Sequence, residues 1–208
     1  CRFNDGDSPR LHKSLGTPTN LDRWTFSAWV KRGVLGINCC IFESFNDANN
    51  KTRIRIIDTD KLFFGNRIAG SFEGLVTTNR VLRDPSAWYH IVGIWDSDNG
   101  TAGSRMRLFV NGVEETSFTD ETQLTSGEVS SLASGHVFNV GCSGTPDEFF
   151  DGYLAEVCFI DGQALTPTSF GEFDEDSPTI WKPIDVSGLT FGTNGFYLDF
   201  EDSSNLGN

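Results

Sequence analysis

A tight turn between two alternating segments constrains the fold of this chain more than any other feature. In MRLFVNGVEETSF, Asn111 and Gly112 separate two runs in which apolar and polar residues alternate. Asparagine and glycine adopt positive φ readily, as a two-residue type I′ turn requires, so the segment predicts an antiparallel β-hairpin. The preceding run WYHIVGIW is almost continuously apolar, which is typical of a central strand covered on both faces.

A period of two also marks residues 24–31 as a half-buried strand. One predicted face carries Trp24, Phe26, Ala28 and Val30. The opposite face includes the large Trp29, which predicts partial cover on that side too. Shorter strand candidates, each bounded by Asn, Asp or Gly, lie at 37–45, 52–57, 61–64 and 74–78.

Two further elements are predicted towards the C-terminus. HVFNVGCSG and GYLAEVCFIDG are expected to form a second hairpin across an acidic loop. Residues 165–173 contain a proline and threonines that can open one short helix. With 22 Gly and 18 Phe against one Met, the composition favours many short strands joined by polar turns, and therefore a single all-β domain.

Charge narrows the range of partners. The net charge of −13 repels a phosphate backbone or an anionic membrane, so neither nucleic acid nor membrane is an expected partner. The five cysteines include no CxxC pair, and no histidine stands at metal-ligand spacing, which argues against a zinc site. We expect reduced cysteines that fill small apolar spaces, in a chain assembled in a reducing compartment.

The order and spacing of several segments resemble one family. WTFSAWVKRG, WYHIVGIWD, RLFVNG, FNVGCSG and FFDGYLAEVCFIDGQALTPTSF follow one another as in concanavalin A-like, laminin-G-like jelly-roll modules. The resemblance implies a two-sheet antiparallel β-sandwich over residues 1–170. Residues 171–208 are then a C-terminal extension that packs on the sandwich, with a last strand at 195–200 beside the first strand.

The tail carries a second resemblance. IWKPIDVSGLTFGTNGFYLDF is similar to a segment that follows such modules in structural and tail-fibre proteins of tailed phages, especially marine ones. This resemblance implies a virion component that is assembled in the bacterial cytoplasm and is extracellular after release. Its implied partners are other virion proteins, further copies of itself in a homo-oligomer, and cell-surface polysaccharide.

The family resemblance also implies a possible calcium ion at the rim of the sandwich. Calcium binds six to eight oxygen ligands, and the DSDNG loop offers Asp96, Asp98 and Asn99 beside a strand end. A second acidic loop at 147–151 can converge on the same rim. The alternative is that both loops are solvated turns, as acidic loops in an acidic chain usually are.

Carbohydrate is the ligand that the resemblance implies most directly. Sugar rings stack on aromatic faces while polar groups fix their hydroxyls, and the sequence offers Trp88, Tyr89, Asp147 and Phe149. Core packing is the alternative role for the three aromatic residues. Trp181 is expected to anchor the tail to the sandwich.

Catalysis is not predicted. Laminarinase-type glucanases of this fold place two glutamates around an aspartate, and EFDEDS matches only the start of that pattern, with Glu172 and Asp174. The sequence contains no GxSxG motif, and His90 is expected to be a packed residue. The prediction is a non-catalytic binding module of a phage virion protein. A purely structural or assembly role is the alternative, and a glycan hydrolase is the remote one.

Overall fold

The computed structural model describes residues 1–145 and 147–202. Sheet I contains, in spatial order, β1 (Arg2–Phe3), β13 (Gly152–Asp161), β3 (Arg23–Arg32), β8 (Tyr89–Asp96), β9 (Met106–Val110) and β10 (Val113–Glu114), and β16 (Phe196–Leu198) pairs with β13. Sheet II contains β11 (Phe118–Thr122), β7 (Ser71–Val81), β6 (Lys61–Ile68), β5 (Asn50–Ile56), β4 (Cys39–Asp47), β12 (Val137–Val140) and β2 (Leu11–Ser14). A separate ribbon joins β14 (Gly171–Phe173) and β15 (Trp181–Pro183).

The two main sheets confirm the predicted antiparallel sandwich. The only helical elements among the described residues are 3₁₀ turns at Asp5–Asp7, Ala102–Ser104 and Pro167–Ser169, the last of which is the predicted short helix. Across the described ranges, none of these elements is long and apolar enough to cross a membrane.

Aromatic side chains fill the space between the sheets. Trp24 is central: its indole lies 5.8 Å from the Phe42 ring, 5.5 Å from Phe64 and 5.9 Å from Trp95, between ring centroids. Its N–H donates to Ser130 Oγ at 3.0 Å, so the buried polar atom is satisfied. All four residues assigned to the inward face of 24–31 belong to this core, which confirms the predicted alternation.

The hairpin at Asn111 and Gly112 is confirmed. Both residues have positive φ, 51° and 78°, and Val110 pairs with Val113 across the turn. A Cβ atom on Gly112 would lie 2.5 Å from the Trp181 ring. Two independent reasons therefore require glycine at position 112: the positive φ of the backbone and the close approach of the Trp181 ring.

The second predicted hairpin is wrong. β12 pairs with β4 and β2 in sheet II, whereas β13 pairs with β3 in sheet I. The two strands instead face each other across the core, with Phe138 and Phe159 ring centroids 4.7 Å apart. Two apolar strands that are adjacent in sequence can pair as a hairpin or can lie in opposite sheets. In both arrangements their apolar side chains are buried, so the sequence pattern does not distinguish them.

All five cysteines are free. Four are buried, as expected of small apolar fillers, whereas Cys1 is exposed. Burial raises the pKa of Cys142 to about 11, so this thiol stays protonated at neutral pH.

The C-terminal segment covers the outer face of sheet I. Phe170 and Val186 pack there against Val92, Ile94 and Ile160, and form a second apolar cluster outside the sandwich. β16 pairs with residues 157–159 of β13, while β1 pairs with residues 152–153 of the same strand. The last strand therefore follows β1 in line along one edge of β13 and does not lie beside it.

Candidate functional site

A stack of three rings marks the limit of this C-terminal cover. His90 lies between Trp29 and Trp181, at centroid distances of 5.1 Å and 5.9 Å. The Trp181 indole N–H donates to His90 Nδ1 at 2.8 Å, so the neutral ring carries its proton on Nε2 and donates it to Ser27 Oγ at 2.8 Å. Burial lowers the pKa of His90 to about 3.

This stack fixes the roles of two residues considered in the sequence. His90 is fully buried and neutral, so it is a packed residue and not a general base. Trp181 is 8% exposed and anchors the tail through its hydrogen bond and its ring contacts. Trp29, on the outer face of β3, is covered as its size predicted.

Beyond Trp29, the described residues leave the outer face of sheet I open, and this face carries a pair of aromatic rings. Tyr153 pairs with Lys31 on one side and with Arg2 on the other, and Trp88 directly precedes Tyr89, the partner of Val30. We call Trp88, Tyr153, Lys31 and Arg2 the aromatic platform. Trp88 is 39% exposed and Tyr153 is 43% exposed. Their ring centroids are 6.5 Å apart, with the planes inclined by 60°.

A hydrogen-bonded turn supports the Trp88 side of the platform. The Asp84 carboxylate accepts from the Ser86 hydroxyl at 2.6 Å and from the Ser86 N–H at 2.8 Å. These bonds, together with the charge of Lys31, lower the pKa of Asp84. The Asp84 N–H donates to the Tyr89 hydroxyl at 3.0 Å. Tyr89 thus holds the turn that precedes Trp88, and its ring is half-buried.

The four residues predicted to bind glycan therefore separate into two groups. Trp88 and Tyr89 lie at the platform, the first as an exposed ring and the second as its support. Asp147 and Phe149 lie in the 141–151 loop, where the exposed Asp147 accepts hydrogen bonds from Ser143 and Thr145. Phe149 is half-buried.

Sequence reasoning missed Tyr153. In GYLAEV, Tyr153 alternates with the buried Leu154, and this period places its side chain on the outer face. The signal was present in the sequence, but the predicted pairing of this segment with VFNVGCSG placed Tyr153 near Cys142.

The DSDNG loop does not offer free ligands to calcium. One oxygen of Asp96 accepts from Arg23 at 3.0 Å and the other from the Asn99 amide at 3.1 Å. The side-chain and backbone oxygens of Asn99 accept from the Thr101 N–H and from Arg105. Only the exposed Asp98 is left, and one carboxylate does not fit an ion that binds six to eight oxygens.

The second acidic loop does not converge on the DSDNG loop. Asp96 pairs with Arg23 at one end of β3, and Gly152 pairs with Arg32 at the other end, so the two loops lie about 30 Å apart. Glu148 instead forms ion pairs with two arginines of sheet II. Within the described ranges, no three His, Cys, Asp or Glu side chains are grouped as a metal site. Calcium stays a prediction, and no role is derived from it.

The EFDEDS segment has the electrostatics of a surface ion pair and not those of a glycosidase acid. Lys182 Nζ lies 3.4 Å from Glu172 and 3.2 Å from Asp174, on the ribbon formed by β14 and β15. The hydrogen bond from Lys182 lowers the pKa of Asp174, whereas a general acid requires a raised one. This is a solvent-exposed ion-paired turn.

Several solved structures share the fold of this chain. In the mouse laminin alpha1 chain, domains LG4-5 are 13% identical at a TM-score of 0.56, covering 95% of this chain and 46% of that one. The CBM40 module of a Ruminococcus gnavus IT-sialidase, solved bound to α2,3-sialyllactose, is 13% identical at a TM-score of 0.52. The match covers 77% of this chain and 95% of the module. Tailspike protein 2 of Escherichia coli O157:H7 bacteriophage CAB120 is 11% identical at a TM-score of 0.55. The match covers 81% of this chain and 23% of the tailspike.

These likenesses establish the fold, and this chain spans less than half of the laminin and tailspike chains. No curated protein sequence matches the chain. A family model described as "Concanavalin A-like lectin/glucanases superfamily" matches residues 5–169, which is most of the sequence. The chain therefore belongs to the concanavalin A-like lectin/glucanases superfamily.

Proposed function

We propose that this chain is a non-catalytic carbohydrate-binding module and that the aromatic platform binds the sugar. The observation that carries the proposal is the exposed pair of Trp88 and Tyr153, on a part of the sheet I face that the described C-terminal residues leave open. Their rings are held apart at a fixed inclination, with the Lys31 ammonium on the strand between them.

The platform has the chemistry that a sugar ring needs. The apolar C–H face of a pyranose packs on an aromatic ring, and exposed indole or phenol surface loses water favourably on contact. The Tyr153 hydroxyl, the Lys31 ammonium and the Arg2 guanidinium provide donors for sugar hydroxyls around the rings. The Asp84 turn fixes Trp88 before the ligand arrives, which reduces the entropy cost of binding.

A glycan array followed by calorimetry on each hit tests the proposal. Trp88→Ala and Tyr153→Ala should each weaken binding about tenfold or more, since the burial of a large apolar side chain contributes about 1.5–3 kcal/mol and a sugar would cover each exposed ring. Phe72→Ala is the matched control, because Phe72 is 41% exposed but lies on sheet II. Binding to no glycan, or equal loss in all three variants, contradicts the proposal and favours the structural or assembly role.

We further propose that the parent protein is a component of a tailed-phage virion. The resemblance of the tail to phage structural proteins supports this, and so does the similarity of the fold to the bacteriophage tailspike. A virion protein is assembled in the bacterial cytoplasm, is extracellular after release, and contacts other virion proteins. A homo-oligomer would multiply a weak sugar affinity through avidity.

The virion proposal has its own test. Peptides of this chain should be found by mass spectrometry in purified phage particles that also contain capsid and tail proteins. Light scattering of the recombinant protein should show an oligomer. Recovery of the chain only from the cell lysate, and never from particles, would contradict the virion proposal without affecting the sugar proposal.

A further inference from the structure

A groove on the outer face of sheet II contains an arginine that has no hydrogen bond or salt bridge from its side chain among the described residues. It has a volume of about 380 Å³ and lies where β2, β12 and β4 are neighbours. Its lining includes Arg10, His12, Phe45, Asn46, Asn139 and Gly144. The volume is in the lower part of the range of ligand pockets, about 300–1,000 Å³, and suits a ligand of one or two rings.

The positive charge of this groove comes from Arg10. The side chains of Arg10 and His12 are exposed and form no hydrogen bond or salt bridge among the described residues. No lining residue of the groove is acidic, although acidic residues outnumber basic ones by 29 to 16 in the sequence. An unpaired guanidinium next to amide side chains is complementary to a carboxylate, which it binds through two parallel hydrogen bonds.

Three carboxylates of this region already accept hydrogen bonds within the chain. Asp47 accepts from Asn49 and Asn50 at 2.7 Å and 3.0 Å. Asp147 accepts from the Ser143 and Thr145 hydroxyls. Glu43 is fully buried, accepts from the Gly144 N–H at 2.6 Å and faces Arg53 at 3.5 Å. None of the three forms a salt bridge with Arg10 among the described residues.

The wall of the groove has an aromatic surface. Phe45 is half-buried, and its ring packs so closely on Gly144 that a Cβ atom there would collide with it. One face of the ring is thereby fixed against the backbone. The Asn139 amide lies opposite His12 in the sheet register and donates to the Val137 carbonyl at 3.5 Å, while the Asn46 amide donates to Asp47 at 3.1 Å. Each amide keeps its carbonyl oxygen and a second N–H for a ligand in the groove.

We infer that this groove is a second saccharide site, specific for sugars that carry a carboxylate, with Arg10 as the carboxylate-binding residue. The inference rests on the proposed function only in taking the ligand to be a saccharide. The groove and the aromatic platform belong to different sheets, so each site is tested without the other.

The test is an NMR titration with three probes. They are methyl β-D-glucuronide, the uncharged analogue methyl β-D-glucoside, which lacks the carboxylate, and sodium acetate, which has a carboxylate without a sugar ring. The glucuronide should shift groove resonances at concentrations about tenfold lower than either other probe. Arg10→Gln should weaken glucuronide binding about tenfold or more, and Arg10→Lys should restore part of it. Both changes are at the surface, and an unchanged melting temperature shows that the fold is intact.

Arg107→Gln is the matched control, because Arg107 is a half-buried arginine on sheet I that forms no salt bridge among the described residues and belongs to neither proposed site. Arg107→Gln should leave glucuronide binding in the groove unchanged. Equal binding of glucuronide and glucoside, or of glucuronide and acetate, overturns the inference. So does a loss that follows Arg107 in place of Arg10, or the absence of any binding.

Discussion

Acidification should destabilise this protein through one buried histidine. His90 has a pKa of about 3 in the folded chain, because burial disfavours its charged form, against about 6.5 when unfolded. The unfolded state therefore binds more protons below pH 6.5, and stability falls as the pH decreases from about 6.5 towards 3. Between pH 7 and pH 5 the expected loss is about 2 kcal/mol, at a limiting slope of about 1.4 kcal/mol per pH unit.

Urea unfolding at pH 7, 6 and 5, followed by tryptophan fluorescence, measures this loss. His90→Gln retains a donor and an acceptor but does not titrate, so its stability should change much less over the same range, whatever its stability at pH 7. Glu43 acts in the opposite direction, since burial raises its pKa, and it is present in both proteins. An equal decrease in the two proteins would refute the assignment of the loss to His90.

Three further predictions concern stability. Gly112→Val should lower the melting temperature, because a β-branched residue resists positive φ and its Cβ would meet Trp181; an unchanged value would show that the turn is not type I′. Asp60→Asn should cost about 3–5 kcal/mol by urea unfolding, because it leaves the guanidinium of Arg32, 1% exposed, without its anion. Arg83→Gln, at the 60% exposed partner of the same carboxylate, should cost much less, and equal losses would contradict this account. EDTA and calcium should leave the melting temperature unchanged, since the Asp96 and Asn99 oxygens of the DSDNG loop accept hydrogen bonds from the chain itself; a rise with calcium would reverse this expectation.

The alternation of residues along single strands was enough to predict an all-β fold, and the family resemblance added the two-sheet sandwich. The two faces of β3 and the positive φ of Asn111 and Gly112 are local properties, and local sequence determines them. The pairing of strands is not local. β12 and β13 are joined by a short acidic loop that also suits a hairpin, and only the competition of all strands for partners places them in different sheets.

The candidate site also depends on strand pairing, which local sequence does not determine. Trp88 was identified because a large aromatic residue at a strand start is visible in the sequence. Tyr153 was missed because its position beside Lys31 depends on which strand β13 pairs with. The calcium prediction, which stays untested, rested on the oxygens of the DSDNG loop alone, because the bond from Arg23 to Asp96 joins residues more than 70 positions apart in sequence.

One measurement tests the sugar-binding platform most directly. The five tryptophans give five indole N–H resonances, and only Trp88 among them is as much as 39% exposed. In a titration with the best neutral saccharide from the array, the Trp88 indole resonance, assigned through Trp88→Phe, should move while those of the buried Trp24, Trp95 and Trp181 stay in place. A saccharide that binds and leaves the Trp88 resonance unmoved would contradict the assignment of the aromatic platform as the binding site.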